Sequence, residues 1–260
     1  MLKQRILSAC LLLPLPVLAL YFGSPWFELL CAAALTVMGW EWEKLVLKRF
    51  TVLGMLIAVT GICSVFILDL NAVVAWSLPA IMAVVLYVAA KRQQLEHEKL
   101  FAFGVLYSAY PVTALAFMLQ NYGFISTIWL IGTVWAMDTG AYLFGKTIGG
   151  PKLCVKISPK KTWAGLIGGM LTAAVWGALC ARFGGADYTP VMVVSAVLGA
   201  VSQGGDLFES WIKRYLNVKD SSNLIPGHGG IFDRTDALLA VAPIVVIIIV
   251  FIYPELNFWG

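Results

Sequence analysis

The residues best equipped for chemistry lie in KDSSNLIPGHGGIFDRTD, Lys219 to Asp236. This stretch holds the acids Asp220, Asp233 and Asp236, the bases Lys219 and Arg234, and His228, one of two histidines in the chain. Pro226-Gly227-His228-Gly229-Gly230 does not suit a helix, and its glycines let backbone amides approach a ligand closely. Asp233 opens the next helix, with Arg234 beside it and Asp236 in its first turn. Carboxylates at such a spot suit a hard, oxygen-preferring cation such as Mg²⁺, which is usually shared with substrate phosphates. Lys213, Arg214, Lys219 and Arg234 supply positive charge for those phosphates. His228 has two readings, a hydrogen-bonding loop residue or a direct participant.

Two further acids fall within apolar runs. An acid at the centre of a membrane helix costs on the order of 2.5–3.5 kcal/mol, so each asks for a reason. In VSQGGDLFESWIKR, Ser202, Gln203, Asp206, Glu209, Ser210 and Lys213 fall within about 120° of one another at roughly 100° per residue. That face must point to protein or to a water-filled cleft. In VWAMDTGAYLFGK, Trp135, Asp138, Tyr142 and Lys146 likewise share a face. Asp206 precedes Lys213 by seven residues and Asp138 precedes Lys146 by eight. Both acids therefore sit about 10–12 Å below one membrane surface, a depth at which they can serve one cavity. The competing reading pairs each acid with a nearby lysine for packing alone.

KTIGGPKLCVKISPKKT carries five lysines from Lys146 to Lys161. It reads as a compact basic loop ending with Lys160, Lys161 and Thr162 at a helix start. Two readings stand, a topology determinant or a phosphate clamp assisted by helix N–H groups. Just upstream, Gly140 to Thr147 (GAYLFGKT) satisfies the phosphate-loop pattern letter for letter. That pattern needs a strand before it, and here it overlies the end of an apolar helix, so the match is rejected.

The elements that must position these residues are membrane helices. The chain is 60% hydrophobic and 12% charged, with a mean hydropathy of +0.86. A soluble core of 260 residues does not hide that much apolar surface. Apolar runs predict about nine spans, at 5–23, 25–41, 51–69, 72–90, 100–119, 123–145, 162–181, 189–212 and 237–254. With the N-terminus placed in the cytoplasm, every basic residue but Arg182 falls in an inside segment. The positive-inside rule then puts the C-terminus outside and the glycine loop on the cytoplasmic side. The net charge of +4 reads as orientation plus anionic ligands, not nucleic acid. Lys3 and Arg5 imitate a signal peptide, and Leu7-Ser8-Ala9-Cys10 a lipoprotein box. Cys10 precedes any hydrophobic region, so an uncleaved first span is expected. The five cysteines are scattered and suggest neither disulfides nor a zinc site. Polar residues thicken beyond about Leu100. Residues 1–100 are expected to be scaffold helices, and 101–260 a catalytic region with a cytoplasm-facing polar cleft.

The run SWIKRYLNVKDSSNLIPGHGGIFDRTD resembles, from end to end, the signature of the phosphatidate cytidylyltransferases, the CDP-diacylglycerol synthases. QGGDLFES, MDTGAYLFG and SPKKTWAG resemble that family in the right order, so similarity covers about residues 130–240. The resemblance implies an all-α membrane enzyme that converts CTP and phosphatidic acid to CDP-diacylglycerol and pyrophosphate. It implies dependence on Mg²⁺ with a second cation, a homodimer, and the bacterial cytoplasmic membrane. Carried onto matching positions, Asp206 and Asp233 are metal ligands. Asp220, next to Lys219, supports those ligands or binds nucleotide, and Lys160, Lys161 and Arg234 meet CTP phosphates. Catalysis is thus assigned to Asp206, Asp233, Asp220, His228 and Lys219. Substrate binding is assigned to Lys160, Lys161, Lys213, Arg214, Arg234, Ser210, Asp138 and Tyr142. The rival classes are an ion-coupled transporter, which predicts no glycine loop, and a CTP-dependent lipid kinase, which transfers the γ-phosphoryl group. A CDP-alcohol phosphotransferase is a third, but its paired-aspartate run is missing.

Overall fold

The computed structural model describes residues 14–225 and 229–252. Cys10, the first basic residues and the start of the first expected span lie outside them, as does His228. Among the described residues, regular structure is helical apart from one small hairpin and an isolated bridge between Ile225 and Gly229. Helices run over Pro14–Phe22 (α1), Trp26–Leu47 (α2), Val52–Ile67 (α3), Ala72–Arg92 (α4) and Glu98–Thr147 (α5). Strands Lys152–Cys154 (β1) and Ser158–Thr162 (β2) follow. The chain then forms Trp163–Gly184 (α6), Tyr188–Tyr215 (α7) and Phe232–Ile247 (α8), which continues as a wider π turn over Ile248–Ile252.

Polar residues at the helix starts are local N-caps. Thr51 accepts from Leu53 N at 3.2 Å, Asn71 from Val74 N at 3.1 Å and Asp187 from Thr189 N at 3.0 Å. Each satisfies a backbone N–H that the helix itself leaves without a partner. Among the described residues, five helices are long and apolar enough to cross a membrane. They are Ala72–Arg92, Glu98–Thr147, Trp163–Gly184, Tyr188–Tyr215 and the run Phe232–Phe251, with Val52–Ile67 a shorter apolar helix. Their outer faces carry large apolar side chains in the open, such as Val73 at 79% exposed and Phe183 at 84%. Such surfaces are stable against lipid, and the protein is an all-α integral membrane protein.

The runs expected at 100–119 and 123–145 belong to one helical stretch, α5. It is interrupted at Gly123, whose φ of 74° is left-handed backbone that glycine adopts without strain. The chain divides close to this point into two compact units. One comprises residues 1–120 with 218–235, and the other 121–217 with 236–260.

In the first unit, Trp42 of α2 is 1% exposed and donates from Nε1 to the Phe101 carbonyl at 3.1 Å. Its ring lies 5.5 Å from Phe232, which stacks on Tyr107 at 5.7 Å. This aromatic core fixes the start of α8 beside α2 and the first half of α5. In the second unit, α6 packs on the second half of α5 through glycines. A Cβ at Gly165 would stand 2.8 Å from the Ala141 carbonyl, and one at Gly169 2.8 Å from that of Met137. The small-residue pair Gly165 and Gly169 thus serves packing within the chain. Thr172 donates to the Ala136 carbonyl at 2.9 Å across the same interface.

Candidate active site

Two polar assemblies are built from the residues singled out above, one in each unit. In the second unit, the face of α7 carries out the spacing argument. Ser202, Gln203, Glu209 and Lys213 are buried, and Asp206 and Ser210 are half-buried. Asp206 is held from both sides. Lys161 Nζ lies 2.6 Å from its Oδ2, and Ser210 Oγ donates to its Oδ1 at 3.3 Å. The same ammonium reaches the Gln203 carbonyl at 3.4 Å. One turn on, Glu209 pairs with Lys213 at 3.0 Å. Asp236 of α8 stands within electrostatic reach of Glu209, Asp206 and Lys213. Gly205 allows this approach, because a Cβ there would lie 2.9 Å from the Asp236 carbonyl. Three carboxylates and two ammonium groups are therefore grouped about one stretch of α7, and Asp236 joins the residues assigned from sequence.

Lys161 reaches Asp206 from a strand, which corrects the expectation of a helix start. The basic segment folds as an antiparallel hairpin with Lys152 opposite Thr162 and Cys154 opposite Ser158. Helix α6 begins only after it, where Thr162 Oγ1 accepts from Gly165 N at 3.1 Å. Lys160, next to Lys161 on β2, is exposed. The alternation of a strand turns these neighbours to opposite sides, one towards α7 and one outwards. The phosphate-loop match is absent in structure as expected. Its residues are helical, and Gly140 and Gly145 pack against Thr172 and Thr162.

On α5, Trp135, Asp138, Tyr142 and Lys146 share an exposed face. Lys146 Nζ lies 3.4 Å from the Tyr142 hydroxyl and 5.6 Å above its ring. Arg214 is exposed in the last turn of α7.

In the first unit, the segment Val218 to Thr235 is organised by carboxylates. Asp233 Oδ2 accepts from Ser221 N at 2.8 Å, Ser221 Oγ at 2.7 Å and Gly230 N at 2.9 Å. Gly229, with φ of 85°, lies in the left-handed region and closes a bridge with Ile225 through hydrogen bonds of 2.8 and 3.1 Å. Lys219, Asp220 and Arg234 are exposed around it.

The sequence reading missed two acids here, Glu41 and Glu43, both 0% exposed. Glu41 Oε1 accepts from Ser222 Oγ at 2.6 Å and Ile231 N at 2.9 Å, and Oε2 accepts from Phe232 N at 3.0 Å. Glu43 Oε2 accepts from Thr51 N at 2.7 Å and Gly54 N at 3.0 Å, at the start of α3. Their signal was WEWEK, two acids alternating with two tryptophans at a span's end. Residues two apart on a helix point about 200° from each other, so both cannot face water from a packed helix.

Among the described residues no three acidic, histidine or cysteine side chains form a metal cage by themselves. The donors present are carboxylate oxygens, the hard type that Mg²⁺ prefers. A cation held by one or two carboxylates and completed by substrate oxygens fits that donor set.

Membrane-length helices with grouped acids and lysines define a membrane-embedded protein equipped for phosphorylated, anionic substrates. The chain belongs to the cytidylyltransferase family, whose sequence profile matches residues 3–252, and it is a membrane-embedded nucleotidyltransferase. It is 35% identical over 249 residues to the phosphatidate cytidylyltransferase of Brucella suis biovar 1 (strain 1330), covering 93% of this chain and 90% of that one. It is also 35% identical over 280 residues to the phosphatidate cytidylyltransferase of Haemophilus influenzae (strain ATCC 51907 / DSM 11121 / KW20 / Rd), covering 94% and 96%. The protein of that name from Rickettsia bellii (strain RML369-C) is 39% identical over 157 residues, 56% of this chain.

Proposed function

We propose that the chain transfers the cytidylyl group of CTP to phosphatidic acid, giving CDP-diacylglycerol and pyrophosphate. The observation that carries this reading is similarity along nine-tenths of the chain to proteins bearing that name. The α7 cluster supports it, because it groups hard oxygen donors with ammonium charge on a membrane helix.

The nucleophile is a phosphate monoester with a second pKa near ~6, so it is already mostly dianionic at neutral pH. No general base is required, and His228 is assigned a supporting role. The obstacle is repulsion between that dianion and the triphosphate. Lys161, Lys160, Lys213, Arg214 and Arg234 offset it with positive charge, and Ser210, Asp138 and Tyr142 contribute polar contacts to substrate. Lys219 and Asp220 act at the nucleotide. Asp206 and Asp233 offer carboxylates to the divalent cations, with Mg²⁺ and a second cation as the pair. When bound, Mg²⁺ would neutralise phosphate oxygens and stabilise the leaving pyrophosphate.

In this reading the chain has about nine spans, with the N-terminus and the site facing the cytoplasm and the C-terminus outside. It works as a homodimer in the bacterial inner membrane. The bias of basic residues supports the orientation.

The test is positional labelling. Detergent-purified protein given phosphatidic acid, Mg²⁺ and CTP labelled at the α-phosphorus should place the label in lipid, and a chelator should stop it. Lipid labelled instead from the γ-phosphorus would make the protein a lipid kinase, and no labelled lipid from either would overturn the reading.

A further inference from the structure

We propose that Glu41, a residue of the N-terminal helices, is a positioning residue for cytidylyl transfer, setting the geometry of the loop that presents Asp233. The inference rests on the reading of Asp233 as part of the active site.

Glu41 and Glu43 do different work. Glu43 caps the neighbouring helix α3 through Thr51 N and Gly54 N, a local task within the first helices. Glu41 points to the other side of α2 and accepts from residues 181 to 191 positions away. Its donors sit on both stems of one loop. Ser222 lies on the incoming stem, and Ile231 and Phe232 on the outgoing stem. Asp233 accepts from the same two stems, through Ser221 and Gly230. The two carboxylates thus take neighbouring donors in register, Glu41 from residues 222 and 231–232, Asp233 from residues 221 and 230. Neither stem can shift without breaking bonds to both.

The outgoing donors are also the first N–H groups of α8, which a helix leaves without internal partners and which favour negative charge. Gly230 shows how closely the parts are fitted, since a Cβ there would overlap Glu41 Oε1 and Ser221 Oγ.

Adhesion alone does not explain a carboxylate at this place. Phe232 is already anchored between Trp42 and Tyr107, and a fully buried carboxylate carries a desolvation cost that an apolar side chain would avoid. A carboxylate supplies directional acceptors on two oxygens, which fix loop geometry where packing only presses surfaces together.

The experiment compares Glu41→Gln and Ser222→Ala in the full-length, detergent-purified protein. Turnover with CTP and phosphatidic acid is titrated against Mg²⁺, and the thermal midpoint is measured in parallel. A hydrogen bond to a charged group is worth roughly tenfold or more in an equilibrium. Glu41→Gln should therefore lower kcat by about tenfold or more while the KM for CTP moves less than about threefold. The Mg²⁺ concentration for half-maximal activity should rise several-fold. Ser222→Ala, which removes one donor of three, should shift both in the same direction by less. A lowered thermal midpoint with unchanged kcat and Mg²⁺ requirement would make Glu41 a structural residue and overturn the proposal. If Glu41→Gln does not fold, Ser222→Ala decides on the same criteria. Asp233→Asn separates the two ideas. An inactive Asp233→Asn beside a normal Glu41→Gln overturns the positioning role alone, while an active Asp233→Asn overturns the site reading and the inference with it.

Discussion

Lys161 on strand β2 and Asp206 on helix α7 form an ion pair of 2.6 Å, with side chains 12% and 31% exposed. The hairpin makes that reach possible. A lysine in the first turn of α6 would be fixed to that helix, whereas a strand edge delivers the ammonium sideways. It meets both the Asp206 carboxylate and the Gln203 carbonyl. The pair gives Asp206 a counter-charge and leaves an ammonium where the triphosphate is proposed to arrive. Lys161→Ala is expected to lower kcat/KM for CTP by about a hundredfold, the scale on which removing a charge-assisted hydrogen bond acts in a partly desolvated site. Lys161→Arg should recover part of it. Steady-state kinetics with varied CTP measure this. A fall in thermal midpoint without a change in kcat/KM would make the pair structural only.

Much of this arrangement is legible in the sequence, for physical reasons. Apolar runs have to match bilayer thickness, so the helices stand out. The polar face of α7 follows from 100° periodicity, and Asp206, Glu209 and Lys213 lie where that geometry puts them. Strands of three and five residues carry no usable alternation, so the hairpin that aims Lys161 leaves no such trace. Glu41 escapes for another reason. An acid at the end of a span reads as a solvated group at the membrane surface, and only the fold reveals donors 181 residues away.

Lys213 and Glu209 form a second pair, with side chains only 9% and 2% exposed. Removing one partner of a buried pair leaves an uncompensated charge and costs about 3–5 kcal/mol. Lys213→Met should therefore lower the thermal midpoint strongly. Glu209→Gln combined with Lys213→Met should restore much of the midpoint. Turnover should stay low in the double variant if Lys213 serves substrate as well. Turnover that recovers together with stability would remove Lys213 from the substrate-binding residues.

Ser221 gives Asp233 Oδ2 two of its three donors, one from the backbone and one from the hydroxyl. Ser221→Ala deletes only the second. A hydrogen bond to a charged acceptor contributes about 1.5–3 kcal/mol. The variant should lose a few degrees of thermal stability and several-fold in turnover, and Ser221→Thr should retain most of both. Measured turnover and midpoint equal to the parent protein would mean that the hydroxyl does not constrain Asp233.

Glycines in this chain are of two kinds, and their alanine variants should part company. A Cβ at Gly132 of α5 would overlap the indole of Trp176, whose Nε1 donates to the Trp129 carbonyl at 3.0 Å. Gly132→Ala has to push that ring aside and break the bond, an overpacking cost of about 1–3 kcal/mol. At Gly204 of α7 nothing lies within 4 Å of an added Cβ. There alanine meets open space in a helix and gains up to about 1 kcal/mol of helix propensity. Thermal midpoints in one detergent should therefore fall for Gly132→Ala and hold or rise for Gly204→Ala. Equal losses in both would show that Gly204 is as crowded as Gly132 in the purified protein. The free space over Gly204 would then be closed in the assembled protein by something outside this chain.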